Sequence, residues 1–201
     1  MLKITFDIRA FEKALTDLER RQLPFAVAMA LNDTAQDASV AETAALSQHL
    51  DRPTPFTKRA YQIERATKSK PYAIVKARPI QGAYLQYQVF GGRRSPKGQA
   101  LVVPSGAKLN AYGNLPKGAV KRALSQKNTF ATKRGSRKAK HLGRGVYRRV
   151  RGGGLKKLMA FEPMAKYRVR LPFGRAARQS AESVFAMHFE RRFTAALASA
   201  R

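Results

Sequence analysis

The amino-acid sequence predicts an α+β fold, with N-terminal helices and a long C-terminal helix packed on a small antiparallel sheet, plus a long basic loop or arm. Three observations carry that reading. Apolar residues recur at helical spacing near both ends of the chain, over residues 8–20, 24–49 and 174–198. Short alternating runs bounded by Gly, Pro and Asn fill residues 63–171 and have the period of strands. Residues 126–144 combine many cations with few large apolar groups, the composition of a loop.

The elements follow in order. Residues 2–6 read as a short strand, and Asp7 as the cap of a helix whose stripe is Ile8, Phe11, Leu15 and Leu18. Pro24 suits the first turn of a second helix, with Phe25, Ala28, Met29, Leu31, Ala35, Ala38 and Ala45 as its apolar surface. Asp33, Asp37 and Glu42 lie along that helix and read as a solvated face rather than as an acid/base pair. Pro53 and Pro55 break the chain, and one helical turn is expected at residues 57–61. Residues 72–77 alternate as a strand, Pro79 follows, and residues 84–90 form a second apolar stretch.

Residues 91–98 read as a loop and residues 100–103 as a strand ending at Pro104. Residues 110–118 form a turn region leading into a short amphipathic helix through Val120 and Leu124. Residues 145–150 read as a strand, Gly152, Gly153 and Gly154 as a hairpin tip, and residues 155–161 as the returning strand. One further edge strand is expected at residues 167–171. From Gly174 the chain turns helical, with Ala177, Ala181, Val184, Phe185, Phe189, Phe193 and Leu197 on one stripe.

At 201 residues the chain is expected to form a single domain, able to bury roughly 70% of its unfolded surface. It divides by composition into a helical part, residues 1–64, a basic β-rich middle, residues 65–161, and a strand with the C-terminal helix, residues 162–201. The chain holds 40 Lys and Arg against 12 Asp and Glu, a formal net charge of +28. The middle part has 24 of those cations and no acid at all. Ordinary surfaces intersperse both signs, so a polyanion or an acidic partner is expected to neutralise this segment.

The same composition excludes several chemistries. Without Cys there is neither a disulfide framework nor a thiolate nucleophile or metal ligand. The three histidines, His49, His141 and His188, have no metal-ligand spacing. His188, beside an apolar stripe, reads as a packed helix residue. The glycine-rich pieces do not continue as phosphate-binding motifs. The longest apolar run, residues 23–31, is less than half the span of a bilayer. No catalytic residue, metal, cofactor, small-molecule substrate or membrane is therefore expected.

What remains is electrostatic contact with a nucleic-acid backbone, independent of sequence because no element has the character of a base-reading helix. The candidate DNA-facing cations are Arg93, Arg94, Lys97, Lys133, Arg134, Arg137, Lys138, Lys140 and Arg144. Tyr84, Tyr87 and Phe90, near basic residues, read as structural anchors before stacking groups. The candidate subunit interface is Phe25, Met29, Phe185, Phe189 and Phe193.

Several short blocks carry a resemblance. Gly91-Gly92-Arg93-Arg94, Leu101-Val102-Val103-Pro104, the run Tyr-Gly-Asn-Leu-Pro-Lys-Gly at residues 112–118, Gly145-Val146-Tyr147-Arg148-Arg149, and Tyr-Arg-Val-Arg-Leu-Pro-Phe at residues 167–173 occur in this order in many prophage structural proteins. Residues 23–32, Leu-Pro-Phe-Ala-Val-Ala-Met-Ala-Leu-Asn, are similar to the helix of bacteriophage minor tail protein Z, a tail-completion family. The resemblance implies a virion protein of the tail or neck, assembled in the host cytoplasm and active in tail completion or head-tail joining. It implies a homo-oligomeric ring through which double-stranded DNA passes, with neighbouring neck and tail proteins as partners. The alternative is a free, sequence-nonspecific DNA- or RNA-binding protein.

Overall fold

A computed structural model of the chain describes residues 1–5, 15–132 and 141–199. It combines helices with antiparallel sheets and ends in a long C-terminal helix, an α+β fold. The chain divides into two compact units, one of Met1–Val89 with Val169–Arg201 and one of Phe90–Arg168.

The first unit is built on two long helices and a three-stranded sheet. Helix α1, Asp17–His49, opens with a capping box: the Thr16 hydroxyl accepts from the Glu19 N–H while the Glu19 carboxylate accepts from the Thr16 N–H. The helix predicted for residues 8–20 therefore does not exist as one element, because Leu15 and Thr16 are not helical; Asp7, Ile8 and Phe11 lie outside the described residues. Nor does a helix begin at Pro24, which sits inside α1. An interior proline costs about 3 kcal/mol. Complete burial of Leu23, Ala26, Val27, Ala30 and Leu31 around it supplies the packing that offsets this cost.

Strands β1, Leu2–Thr5, β2, Tyr61–Glu64, and β3, Tyr72–Ala77, pair antiparallel with β3 at the centre. The register puts Leu2 and Ile63 either side of Val75 and Ile4 opposite Ala73, so these apolar residues share the face packed in the core. Helix α2 is one turn, Pro55–Lys58, capped by Thr54; Tyr61, expected at its end, begins β2 instead. Residues 84–90 belong to helix α3, Pro79–Phe90, with Gln81 and Leu85 buried one turn apart. Asn32 clamps the approach to the sheet, donating to the Ala66 carbonyl at 3.1 Å and accepting from its N–H at 2.8 Å.

In the second unit, β4, Gly92–Arg94, pairs with β9, Ala165–Tyr167, as a two-stranded ribbon. The expected loop at residues 91–98 thus contains a strand, and the strand expected at residues 167–171 lies nearer the N-terminus. The Arg170 and Leu171 N–H groups donate instead to the Gln88 carbonyl. A four-stranded antiparallel sheet runs in the order β5, Leu101–Pro104, β8, Leu155–Glu162, β7, Gly145–Arg149, and β6, Thr129–Thr132. Strand β6 falls in the segment expected to be loop. Thr-Phe-Ala-Thr has the β-branched and aromatic content of a strand, and the Thr132 hydroxyl fastens it to β7 by accepting from the Gly145 N–H at 2.9 Å.

Gly145 itself has no room for a side chain, since a Cβ would lie 2.2 Å from the Met159 carbonyl oxygen. Helix α4, Ala119–Leu124, covers one face of this sheet, where Ala123, Val146, Leu158 and Met159 make a small separate core. The C-terminal helix α5, Arg175–Ser199, returns to the first unit.

Helices α1 and α5 lie antiparallel, and the carboxylates predicted to be solvated hold them together. Asp33 accepts from Arg192 at 2.6 and 2.9 Å and from Arg191 at 2.9 Å. Asp37 meets His188 Nε2 at 2.7 Å, and Glu42 is fully buried against the start of α5. His188 is buried in this seam, as a packed helix residue should be.

Candidate nucleic-acid interface

The second unit carries 21 Lys and Arg and one acid, Glu162, in 79 residues. Setting the charge of Glu162 against one of them leaves twenty positive charges uncompensated within the unit. The ion pairs Asp51–Arg52, Glu64–Lys76, Asp37–His188 and Asp33–Arg192 all belong to the first unit.

Antiparallel pairing brings like charges face to face. Arg93 on β4 stands opposite Lys166 on β9, and both side chains are exposed. Arg148 on β7 stands opposite Lys156 on β8. Directly opposed residues place their Cβ atoms only about 5 Å apart on one face of the sheet, where like charges destabilise the pairing. An anion bridging each pair removes the repulsion.

On the other face of the four-stranded sheet the cations rest on rings. Phe130 and Tyr147, opposed across β6 and β7, stack with centroids 5.9 Å apart at 20°. The Arg149 guanidinium lies 4.8 Å from the Phe130 centroid and Lys157 Nζ 5.4 Å from that of Tyr147. Such contacts restrain long side chains without neutralising their charge. The Tyr147 hydroxyl donates to the Gly143 carbonyl at 2.8 Å and the ring is buried, so it is a support rather than a surface for bases.

Of the cations picked out from the sequence, Arg93 and Lys97 are exposed on the ribbon and in the bend after it. Arg94, on the same strand, is half-buried and engaged within the fold. Arg144 precedes β7 and is also half-buried, with its Nε sealed from solvent and without a hydrogen-bond partner among the described residues. Lys133, Arg134, Arg137, Lys138 and Lys140 lie outside the described residues. Arg148, Arg149, Lys156, Lys157, Lys166 and Arg168 of the same unit are not among those candidates. The alternation in Gly-Val-Tyr-Arg-Arg could have flagged the first two, whereas the opposed lysines become visible only through strand register.

The residues expected at a subunit interface divide. Phe25 is 41% exposed with Lys68 Nζ 5.4 Å from its ring centroid, while Met29 is half-buried. Phe185, Phe189 and Phe193 form a stacked ladder, 6.2 and 5.6 Å between centroids, and pack against the core of their own unit. Among the aromatic residues near cations, Tyr84 packs on that core and bonds Thr57 at 3.0 Å, but Phe90 is 80% exposed.

No helix among the described residues is long and apolar enough to cross a membrane. No family model, curated protein or solved structure matches the chain.

Proposed function

We propose that this chain is a structural, non-enzymatic subunit of a bacteriophage tail or neck, acting in tail completion or head-tail joining, with the cations of its second unit against the phosphates of double-stranded DNA. The observation that carries the reading is the opposed like-charge pairing in a unit that has a single carboxylate. A folded unit retains such pairs at a cost to its own stability, and a polyanion compensates for that cost.

Two further features support it. Asp33, Asp37 and Glu42, the carboxylates with the spacing for acid/base work, are occupied in joining α1 to α5. Four of the six short blocks similar to prophage structural proteins fall in helices or strands: residues 23–32 in α1, residues 91–94 at β4, residues 101–104 in β5 and residues 145–149 in β7. Residues 112–118 and 168–173 lie between elements. Contact with phosphates alone carries no base information, as suits a protein that every sequence in a genome must pass.

A subunit that encloses a DNA path repeats around it through contacts that close into a ring. Electron cryomicroscopy of assembled particles tests this: a closed ring of this chain around the DNA path is the expected result. One or two copies per particle would overturn it. A chain found free in the cell and bound to RNA as a monomer would establish the alternative, a sequence-nonspecific nucleic-acid-binding protein.

A further inference from the structure

The second unit has a groove of about 610 Å³ on the face of the four-stranded sheet that carries α4. Its floor is apolar, formed by Ala123 of α4 and by Leu158 and Met159 of β8, the same residues that make the small core. Lys108, Arg122 and Arg148 stand around it, from the loop after β5, from α4 and from β7. Among the described residues no carboxylate lines it, and Leu109 at its edge is 39% exposed.

The backbone holds one wall of this groove in place. Ser105, Gly106 and Ala107 all donate their N–H groups to the Leu158 carbonyl, at 3.0 to 3.1 Å. Gly106 comes so near the strand that a Cβ would lie 2.7 Å from the Lys157 carbonyl oxygen. These main-chain bonds fix the position of residues 105–107 against β8.

An apolar floor ringed by three cations selects a ligand with both characters. Phosphates of a duplex match the cations but bring nothing to Leu158 and Met159. We infer that the groove docks an acidic peptide segment of a partner protein: one apolar side chain rests on Ala123, Leu158 and Met159, while flanking carboxylates pair with Lys108, Arg122 and Arg148. Paired N–H donors from each guanidinium fit a carboxylate in the plane of its two oxygens. The groove shares Arg148 with the opposed pair Arg148–Lys156, whereas the other opposed pair, Arg93 and Lys166, lies outside it, so the duplex contact at that pair is tested independently.

The test is fluorescence polarisation on the full chain with a labelled peptide in which Leu and Phe alternate with Asp and Glu. Saturable binding is expected, weakened about tenfold when Ser replaces Leu and Phe and again when Asn and Gln replace the acids. Leu109→Ser and the double change Arg122→Gln with Arg148→Gln are each expected to lower affinity by about tenfold. Leu109 and Arg122 are exposed, and retained near-ultraviolet dichroism checks that each variant folds. Amide shifts on titration should centre on residues 106–109 and 119–126.

Equal binding of the Ser-substituted peptide would overturn the proposal, because general charge attraction then suffices. So would an absence of saturable binding, or displacement of the peptide by a short duplex with Leu109→Ser leaving its affinity unchanged. The last outcome would make the groove part of a nucleic-acid surface. Arg93→Ser with Lys166→Ser separately tests the duplex contact and is expected to leave peptide binding intact.

Discussion

Glu42 of α1 caps α5 through Gly174, whose N–H donates to the Glu42 carboxylate at 2.8 Å across a separation of 132 residues. The same oxygen accepts from the Ala177 N–H at 3.1 Å. At the start of α1, Thr16 and Glu19 perform these two tasks from within the helix. Neither can be done locally at the start of α5, where Gly and Ala occupy the corresponding positions. Gly174, at φ 87°, adopts a backbone conformation that a residue with a side chain reaches only under strain. Glu42 thus supplies both halves of a capping box from a neighbouring helix.

Replacing Glu42 with Ala should therefore lower unfolding free energy by about 2 kcal/mol, since the buried Ala177 N–H and the half-buried Gly174 N–H lose their acceptor. Glu42→Gln keeps an acceptor oxygen in place and should cost less. Urea denaturation of the three proteins, with hydrogen exchange at Ala177, checks the order.

Asp33 makes the first unit sensitive to acid. The hydrogen bond from Arg192, aided by Arg191, holds its carboxyl below the usual aspartate range despite the opposing effect of burial. A lowered folded-state value means that the stabilisation is complete above the ordinary aspartate pKa of about 4 and is lost as pH falls through the lowered value. Asp33→Asn should thus reduce stability at neutral pH and flatten its decline below about pH 4. Denaturant unfolding measured from neutral to acid pH shows both effects.

How far the sequence could be read depended on whether the deciding contact was local. Alternation over residues 72–77 and the apolar stripe after Gly174 located β3 and α5 almost to the residue, because one face of each packs in the core. The acids at positions 33, 37 and 42 have the spacing of an exposed helix face, and their partners are more than 130 residues away. No local pattern distinguishes a solvated carboxylate from one paired at that distance. Gly-Arg-Arg at β4 has no apolar alternation, and only pairing with β9 makes it a strand. Among the cations, charge density marked a segment of chain but not the register that opposes Arg93 to Lys166, nor the partial burial of Arg144.

Lys166 offers a way to separate stability from function. Lys166→Glu turns its opposition to Arg93 into an attractive cross-strand pair, which should raise stability by about 0.2–1 kcal/mol. It should also weaken duplex binding and reduce its salt dependence by about one ion. Thermal unfolding and DNA titration on the same preparation check whether the two move in opposite directions.

The salt dependence of duplex DNA binding reports how many phosphates the second unit's cations meet. About eight phosphate contacts by the second unit would give a slope near −7 in a plot of log affinity against log salt concentration. Replacing Arg93, Lys97 and Lys166 with Ser should lower the magnitude of that slope by about three, while the protein stays folded because these side chains are exposed. A slope unchanged by the triple substitution, or near zero in the unaltered protein, would contradict the account and leave the cations of the second unit as a docking surface for protein.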